Sequence, residues 1–303
     1  MRIHCYGGTN KPNLTLWNGK VKEWTEAFER LNRDIYFVLS YGESIGAPGY
    51  LDVIDIIGRH PNWECCIITN LKESPEKLLA SQLAKDKRVY IAGCFHPLGG
   101  ADWETFKKHI LMVRDADIKV MAGYLFYPPQ IDQWKEYFKW FDEHNIRTFV
   151  RRYVGEYEGK KYPDFYSKEV RQFLRDICEP KVIKYGLDLT SPKGRPCLAS
   201  KDMILVHYDG TVGLCADVPD NYICQTNIFN PNFKLNDNMV YCPTNLCGGD
   251  YGLLHMVDGE FGDLPKSIWH DCFNAQVENL TGGGKEKVVY PKREKMEKWL
   301  NRT

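Results

Sequence analysis

Hydrophobic and polar positions follow two alternating patterns from about residue 19 to residue 180. Segments with an apolar residue at every third or fourth position predict helices, and the runs of β-branched and aromatic residues between them predict strands. The predicted helices cover residues 19–33, 50–60, 101–116, 130–145 and 167–178, and another begins at Ser74 as N-cap with Pro75 as its first residue. The predicted strands cover residues 34–40, 64–69, 88–93, 118–126 and 146–151. This alternation predicts repeated βα units and a mostly parallel sheet.

The ends of successive predicted strands lie 24 to 33 residues apart, which suits right-handed βαβ crossovers. Three architectures remain open for the first 180 residues: a closed barrel, a partial barrel and an open doubly wound sheet. All of them place ligands at the carboxyl ends of the strands. Those ends carry residues 41–44, Thr69 with Asn70, residues 94–96, and Arg151 with Arg152.

Some of these strand-end residues have two interpretations. His96 could contact a ligand or be a satisfied loop residue. Arg151 and Arg152 could bind a carboxylate or pair with the nearby Glu156 or Glu158.

The pattern changes after residue 180. Asp209-Gly210 separates two apolar segments, residues 202–208 and 211–215, which predicts a two-residue β-hairpin. Asn, Pro, Gly and Asp dominate residues 218–250, so this region is predicted to be rich in loops and to lack a large core of its own. A short charged helix is expected near the end, over residues 291–301.

Composition narrows the functional classes. The 303 residues contain 40 Lys and Arg against 40 Asp and Glu, so charge gives no indication of a nucleic-acid or membrane-surface partner. No run approaches the roughly 18 apolar residues of a membrane span, and the first residues lack the apolar segment of a secretory signal. The sequence therefore predicts a soluble, cytoplasmic protein, and it leaves the oligomeric state open.

Eleven cysteines are a high number for a cytoplasmic protein, in which thiols stay reduced. Four of them form two pairs: Cys197 and Cys215 flank the predicted hairpin turn, and Cys242 and Cys247 are separated by four residues. Together they could supply a four-thiolate site for a 4Fe-4S cluster or, alternatively, zinc. Ordinary buried thiols are the competing interpretation. Cys224 and Cys272 are ambiguous in the same way.

Several of these motifs together resemble radical S-adenosylmethionine (SAM) enzymes with a C-terminal SPASM or twitch domain. The residues that carry the resemblance are Tyr41-Gly42-Glu43-Ser44 after one predicted strand, Thr69-Asn70 after the next, and Cys-x12-Gly-x4-Cys over residues 197–215. The resemblance implies that Gly42, Glu43 and Ser44 contact the amino group of SAM, with Asn70 beside them. It also implies that Cys197, Cys215, Cys242 and Cys247 hold an auxiliary 4Fe-4S cluster.

The implied fold is α/β, a partial (β/α)6-type TIM barrel with a small C-terminal β-hairpin domain that binds the cluster. The barrel would occupy residues 1–185, the cluster domain residues 195–280 and a C-terminal helix residues 285–303. In this family the catalytic cluster is bound by a CxxxCxxC motif after the first strand. Of the three cysteines of that motif this chain has only the third, Cys5, and Arg2 stands where the second should be. Either the first strand and two cysteines lie upstream of Met1, or the chain is a degenerate member.

The functional expectation is a SAM-dependent radical oxidoreductase or maturase that acts on a small-molecule or peptide substrate. The alternative is a non-catalytic barrel with a structural Fe–S or zinc site. A zinc-stabilised hydrolase is a weaker third possibility, because no Ser/His/Asp arrangement is present.

Overall fold

The computed structural model describes residues 2–6, 20–40, 43–95, 102–178, 182–197, 199, 201, 203–215, 226–235 and 240–247. Its strands are β1 (Arg2–Tyr6), β2 (Ile35–Ser40), β3 (Trp63–Thr69), β4 (Val89–Phe95), β5 (Lys119–Phe126), β6 (Arg147–Arg152), β7 (Gly155–Tyr157), β8 (Lys160–Tyr162), β9 (Pro196–Cys197), β10 (Met203–His207), β11 (Val212–Gly213) and β12 (Val240–Tyr241). Its α-helices are α1 (Val21–Glu29), α2 (Tyr50–Arg59), α3 (Glu76–Leu79), α4 (Gln82–Lys85), α5 (Trp103–Asp115), α6 (Trp134–Glu143) and α7 (Lys168–Ile177). A 3₁₀ turn, Pro128–Gln133, precedes α6, and a π-helical segment spans Val182–Leu187.

The main sheet has eight strands in the order β11-β10-β1-β2-β3-β4-β5-β6. From β10 to β6 every neighbouring pair is parallel, and β11 is antiparallel to β10. The six strands β1 to β6 follow one another in chain order without the reversal that a doubly wound sheet requires. This order confirms the predicted βα repeat and agrees with a partial barrel.

The two faces of the sheet differ in what covers them. One face packs against the helices, where residues such as Phe37, Ile67 and Ile91 share a core with Phe28 of α1 and Phe106 of α5. The opposite face carries a smaller apolar cluster that, in the described part of the chain, consists of strand residues alone: Tyr36, Val38, Cys66, Ile68, Tyr90, Ala92, Met121 and Phe149. Alternation of side chains along each strand produces this division. The helices thus lie outside and the second face lines the interior.

The main sheet includes one strand, β1, that the hydrophobic pattern did not predict. Residues 2–6 form β1, which lies between β2 and β10 as the third of the eight strands. Cys5 is in register with Leu39 of β2 and Val206 of β10. It therefore belongs to the strand itself and not to the loop that follows.

The helix predicted to begin at Ser74 and Pro75 is divided into the single turns α3 and α4. Pro75 occupies the N-cap position of α3 instead of its first helical position. Ala80 is the C-cap of the first turn, and Ser81 caps the second, since its hydroxyl accepts a hydrogen bond from the backbone N–H of Ala84. A serine that binds nearby backbone groups competes with a continuous helix, which explains the break.

A hairpin does form between β10 and β11, but the predicted two-residue turn is wrong. Three residues, 208–210, connect His207 with its partner Thr211, and Gly210 ends this loop at φ +85°. Because β10 pairs with β1, the hairpin extends the main sheet. A second antiparallel pair, β9 with β12, lies beside it in sequence. A separate cluster domain over residues 195–280 stays a prediction, and the C-terminal helix at 285–303 lies outside the described residues. In the described ranges, no helix has the length and apolar character needed to cross a membrane.

Candidate functional site

The carboxyl ends of the parallel strands meet at one edge of the sheet, and the predicted SAM-contacting residues lie there. Glu43 follows β2 by three residues, and Asn70 directly follows β3. The two strands are parallel neighbours, so their ends are adjacent. Gly42 lies outside the described residues, as does His96.

Glu43 joins the ends of β2 and β3 through three hydrogen bonds. Its Oε1 accepts a short bond from the hydroxyl of Thr69 and a longer one, 3.3 Å, from the backbone N–H of Ile45. Its Oε2 accepts from the backbone N–H of Asn70 at 2.7 Å. The carboxylate is therefore fixed in position by donors from its own loop and from the neighbouring strand.

The charge of this carboxylate is only partly compensated. Burial raises the pKa of Glu43 above its ordinary value, the three hydrogen bonds lower it, and the nearby Glu73 raises it again. Among the described residues, no Lys, Arg or His forms an ion pair with Glu43. A half-buried carboxylate without a cation favours a positively charged ligand, and an ammonium group fits it.

Ser44 and Asn70 shape the loops around Glu43. Ser44 is buried, and its hydroxyl donates to the carbonyl oxygen of Leu39 at 3.1 Å. The side-chain Oδ1 of Asn70 accepts from the backbone N–H of Lys72 at 2.8 Å. In this structure these two side chains therefore contact the backbone, and direct contact with SAM stays a prediction for both.

The four cysteines of the predicted metal site lie on elements that are close in space. Cys197 belongs to β9, opposite Val240 of β12. Two further backbone bonds, both 2.8 Å, tie Cys242 to Gly194 and Arg195. Cys197 shares an apolar cluster with Cys215, and Cys242 and Cys247 pack around the buried ring of Tyr185. Backbone pairing of β9 with β12 therefore brings together the segments that carry these cysteines. Their role as metal ligands stays a prediction.

The two pairs do not form a complete metal site as they stand. Within the described ranges, no three His, Cys, Asp or Glu side chains are grouped as metal ligands. The donors themselves are of the right chemical kind, because soft thiolates select iron–sulfur clusters and zinc. The four-cysteine ligand set therefore stays a proposal that rests on donor chemistry and on the β9–β12 pairing.

Arg152 has a structural role that sequence reasoning missed. Its side chain is 9% exposed, and its Nη2 donates to the carbonyl oxygen of Cys247 at 3.0 Å. The guanidinium lies against Gly186, where an added Cβ would be 2.6 Å from Cζ. Arg152 was expected either to bind a ligand or to pair with an adjacent glutamate, and the structure shows it holding the cysteine segment at the end of β6.

The residues present do not fit the family's catalytic cluster. Cys5 lies within β1, and residues 7–20, which follow this strand, contain no cysteine. Three thiolates are needed to hold a cubane cluster with one open iron. No reaction step can therefore be derived through such a cluster on this chain.

Comparison with solved structures identifies proteins of the same fold. Streptococcus suis SuiB bound to S-adenosylmethionine matches with a TM-score of 0.52 and 12% identity, over 75% of this chain and 63% of SuiB. Polyhistidine-tagged anSMEcpe with bound AdoMet matches with a TM-score of 0.53 and 13% identity, over 99% of this chain and 91% of that chain. Native anSMEcpe with bound AdoMet and Cp18Cys peptide matches at 0.52 and 13% identity, over 99% and 96%. This chain thus spans less than two thirds of the length of SuiB.

At this level of identity the likeness to SuiB and anSMEcpe shows a shared fold alone. No family model matches the chain, and no curated protein matches it by sequence.

Proposed function

We propose that this chain is a radical SAM-like iron–sulfur protein, an oxidoreductase or maturase that binds SAM at the carboxyl edge of its barrel. Its substrate is proposed to be a peptide or a small molecule. The solved structures that share its fold support both parts, since SuiB and anSMEcpe bind S-adenosylmethionine and one anSMEcpe structure also holds a peptide. The residues of this chain supply the more specific support.

Glu43 is the observation that carries the SAM proposal. It is a half-buried carboxylate, fixed at the sheet edge by three donors and without a cationic partner among the described residues. The ammonium group of SAM would supply the missing charge and bind to an acceptor that is already oriented. The aliphatic and aromatic interior of the barrel would exclude water around the remainder of the ligand.

Cys197, Cys215, Cys242 and Cys247 are proposed to hold one auxiliary 4Fe-4S cluster, with zinc as the alternative. Such a cluster would pass electrons or anchor the substrate, and its binding would add folding free energy to a region with few apolar residues. Two contacts hold the segment with Cys242 and Cys247 in place. The β9–β12 pairing ties it to the segment with Cys197, and the hydrogen bond from Arg152 to Cys247 ties it to the end of β6.

Calorimetric titration of the anaerobically purified protein with SAM tests the main proposal. We expect measurable binding by the wild type and a loss of about tenfold or more in Glu43→Gln, because the substitution removes the charge but keeps the shape. Glu104→Gln is the matched control, since Glu104 is exposed on α5 and pairs with Lys107 on the same helix. A wild type that does not bind SAM would refute the proposal, and equal affinities of wild type and Glu43→Gln would refute the assigned role of Glu43.

The absence of cysteine from residues 7–20 favours a second candidate function, a non-catalytic protein with the same fold and a structural metal site. Under strong reduction, a radical SAM enzyme cleaves SAM to 5′-deoxyadenosine, whereas this candidate does not. Iron content separates the two independently: about eight irons per chain require a second cluster, about four agree with the auxiliary site alone, and zinc without iron indicates a structural site.

A further inference from the structure

Thr69 occupies a distinctive position at the end of β3. It is 1% exposed, and its hydroxyl forms two hydrogen bonds. The hydroxyl accepts from the backbone N–H of Leu71 at 3.0 Å and donates to Oε1 of Glu43. A single buried hydroxyl thus connects the backbone after β3 with the carboxylate after β2.

The surrounding turn depends on this hydroxyl. Leu71 is fully buried and adopts φ +55°, in the left-handed region that side chains other than Gly rarely occupy. Two side-chain bonds stabilise the turn: Leu71 N–H to Thr69, and Lys72 N–H to Oδ1 of Asn70. The same turn presents the N–H of Asn70 to Glu43. Removing the hydroxyl would therefore weaken two of the three contacts that orient the carboxylate.

We propose that Thr69 is a positioning residue for the SAM ammonium group, acting by holding Glu43 in a single orientation. This inference rests on the proposed function, because it requires that Glu43 receives the ammonium group. Since an oriented acceptor loses less freedom on binding than a mobile one, the contribution of Thr69 appears in affinity although it does not itself touch the ligand.

The charge state of Glu43 supports the same role. The hydrogen bond from Thr69 lowers the pKa of Glu43 against the effect of burial, and it is the largest of the lowering contributions. Glu73 is the titratable neighbour that raises this pKa. Without the hydroxyl, the pKa of Glu43 rises further, so the carboxylate takes up a proton at a higher pH and loses its attraction for a cation.

SAM titrations of the wild type, Thr69→Ser and Thr69→Val between about pH 5 and pH 7 test the proposal, a range in which the amino group of SAM stays protonated. We expect Thr69→Val to bind about tenfold more weakly at neutral pH, and its loss of binding on acidification to begin at a higher pH than in the wild type. Thr69→Ser keeps the hydroxyl, so its SAM affinity and the pH at which it loses binding should match those of the wild type.

Several outcomes would overturn the inference. One is a Thr69→Val variant with wild-type SAM affinity and an unchanged pH profile. Another is a loss of SAM affinity in Thr69→Ser as large as that in Thr69→Val, because the methyl group would then be responsible. If Thr69→Val does not fold, Thr69→Cys replaces it, since a thiol is a weak donor. Equal affinities of Thr69→Cys and Thr69→Ser would then contradict the role of the hydroxyl.

Unfolding measurements without SAM separate this inference from the proposed function. A carboxyl group with a raised folded-state pKa stabilises the fold when protonated, and this stabilisation is lost as the pH rises through that pKa. Because Thr69→Val raises the pKa further, its unfolding free energy should fall more steeply between about pH 4 and pH 7 than that of the wild type. If SAM does not bind but this steeper dependence is seen, the proposed function fails while the link between Thr69 and Glu43 stands. Parallel pH dependences would overturn the link itself.

Discussion

The guanidinium of Arg152 donates a hydrogen bond from Nη2 to the carbonyl oxygen of Cys247 at 3.0 Å, across 95 residues of sequence. Arg152 ends β6, the last strand of the βα series, and Cys247 belongs to the cysteine segment. The ring of Tyr185, buried beside Cys247, is approached by two further cations, Lys184 at 5.1 Å and Arg195 at 5.9 Å. The edge strand of the barrel thus holds the cysteine segment by a charged and mostly buried contact.

Arg152→Ala should destabilise the protein and loosen the cysteine segment. Loss of a buried hydrogen bond from a charged donor costs about 2 kcal/mol of unfolding free energy, measured by denaturant titration. If the segment holds a cluster, iron content should fall in the same variant. Arg171→Ala is the control, because Arg171 also donates to a backbone carbonyl, that of Pro163 at 3.1 Å, but this acceptor lies outside the cysteine segment 240–247. Equal iron loss in both variants would show that general destabilisation is the cause.

Gly186→Ala should reproduce the effect of Arg152→Ala without removing the arginine. A Cβ at residue 186 would lie 2.6 Å from Cζ and Nε of Arg152, so the guanidinium must move away from Cys247. We expect a loss of about 1 to 3 kcal/mol in unfolding free energy from this overpacking. In the Arg152→Ala background the same substitution should cost much less, and a double-mutant cycle measures the difference. Additive effects would contradict the proposed contact.

Gly210→Ala tests the turn of the hairpin formed by β10 and β11. Gly210 has φ +85°, and an added Cβ would lie 2.5 Å from the ring of Phe229. Gly159, at φ +71°, is the matched control because nothing lies within 4 Å of its Cβ position. Gly159→Ala should cost about 1 kcal/mol of backbone strain, and Gly210→Ala about 2 to 4 kcal/mol because steric overlap is added. Similar losses at the two glycines would show that the contact with Phe229 relaxes easily.

Local patterns predicted the elements whose boundaries depend on nearby residues. The strand and helix expected at residues 34–40 and 50–60 are Ile35–Ser40 and Tyr50–Arg59, because strong hydrophobic periodicity determines both. The strand at residues 2–6 escaped prediction because it is short and its pairing with β10 joins residues about 200 positions apart. The choice between a barrel and a doubly wound sheet also required the strand order, which periodicity does not contain.

In the candidate site, too, the sequence predicted individual residues but not their partners from distant parts of the chain. Glu43 was identified from its own motif at a strand end, but its bond to Thr69 exists only because β2 and β3 are parallel neighbours. The hydrogen bond between Arg152 and Cys247 is even harder to predict from the sequence, since neither residue has a local sequence feature that indicates the other. Partners across a sheet or between distant segments are set by tertiary packing, and a single sequence does not reveal them.

Cys215→Ala should reduce the amount of bound metal if the four-cysteine site is correct. Cys215 is half-buried and packs in the same apolar cluster as Cys197, which β9 and β12 join to Cys242. Removing one of four thiolates leaves three, so iron or zinc per chain should fall sharply in protein purified without oxygen. Cys65→Ala is the control, because Cys65 is fully buried in the helix-facing core and should lose stability but keep its metal. Unchanged metal content in Cys215→Ala would remove Cys215 from the ligand set, whereas equal loss in both variants would trace the effect to folding.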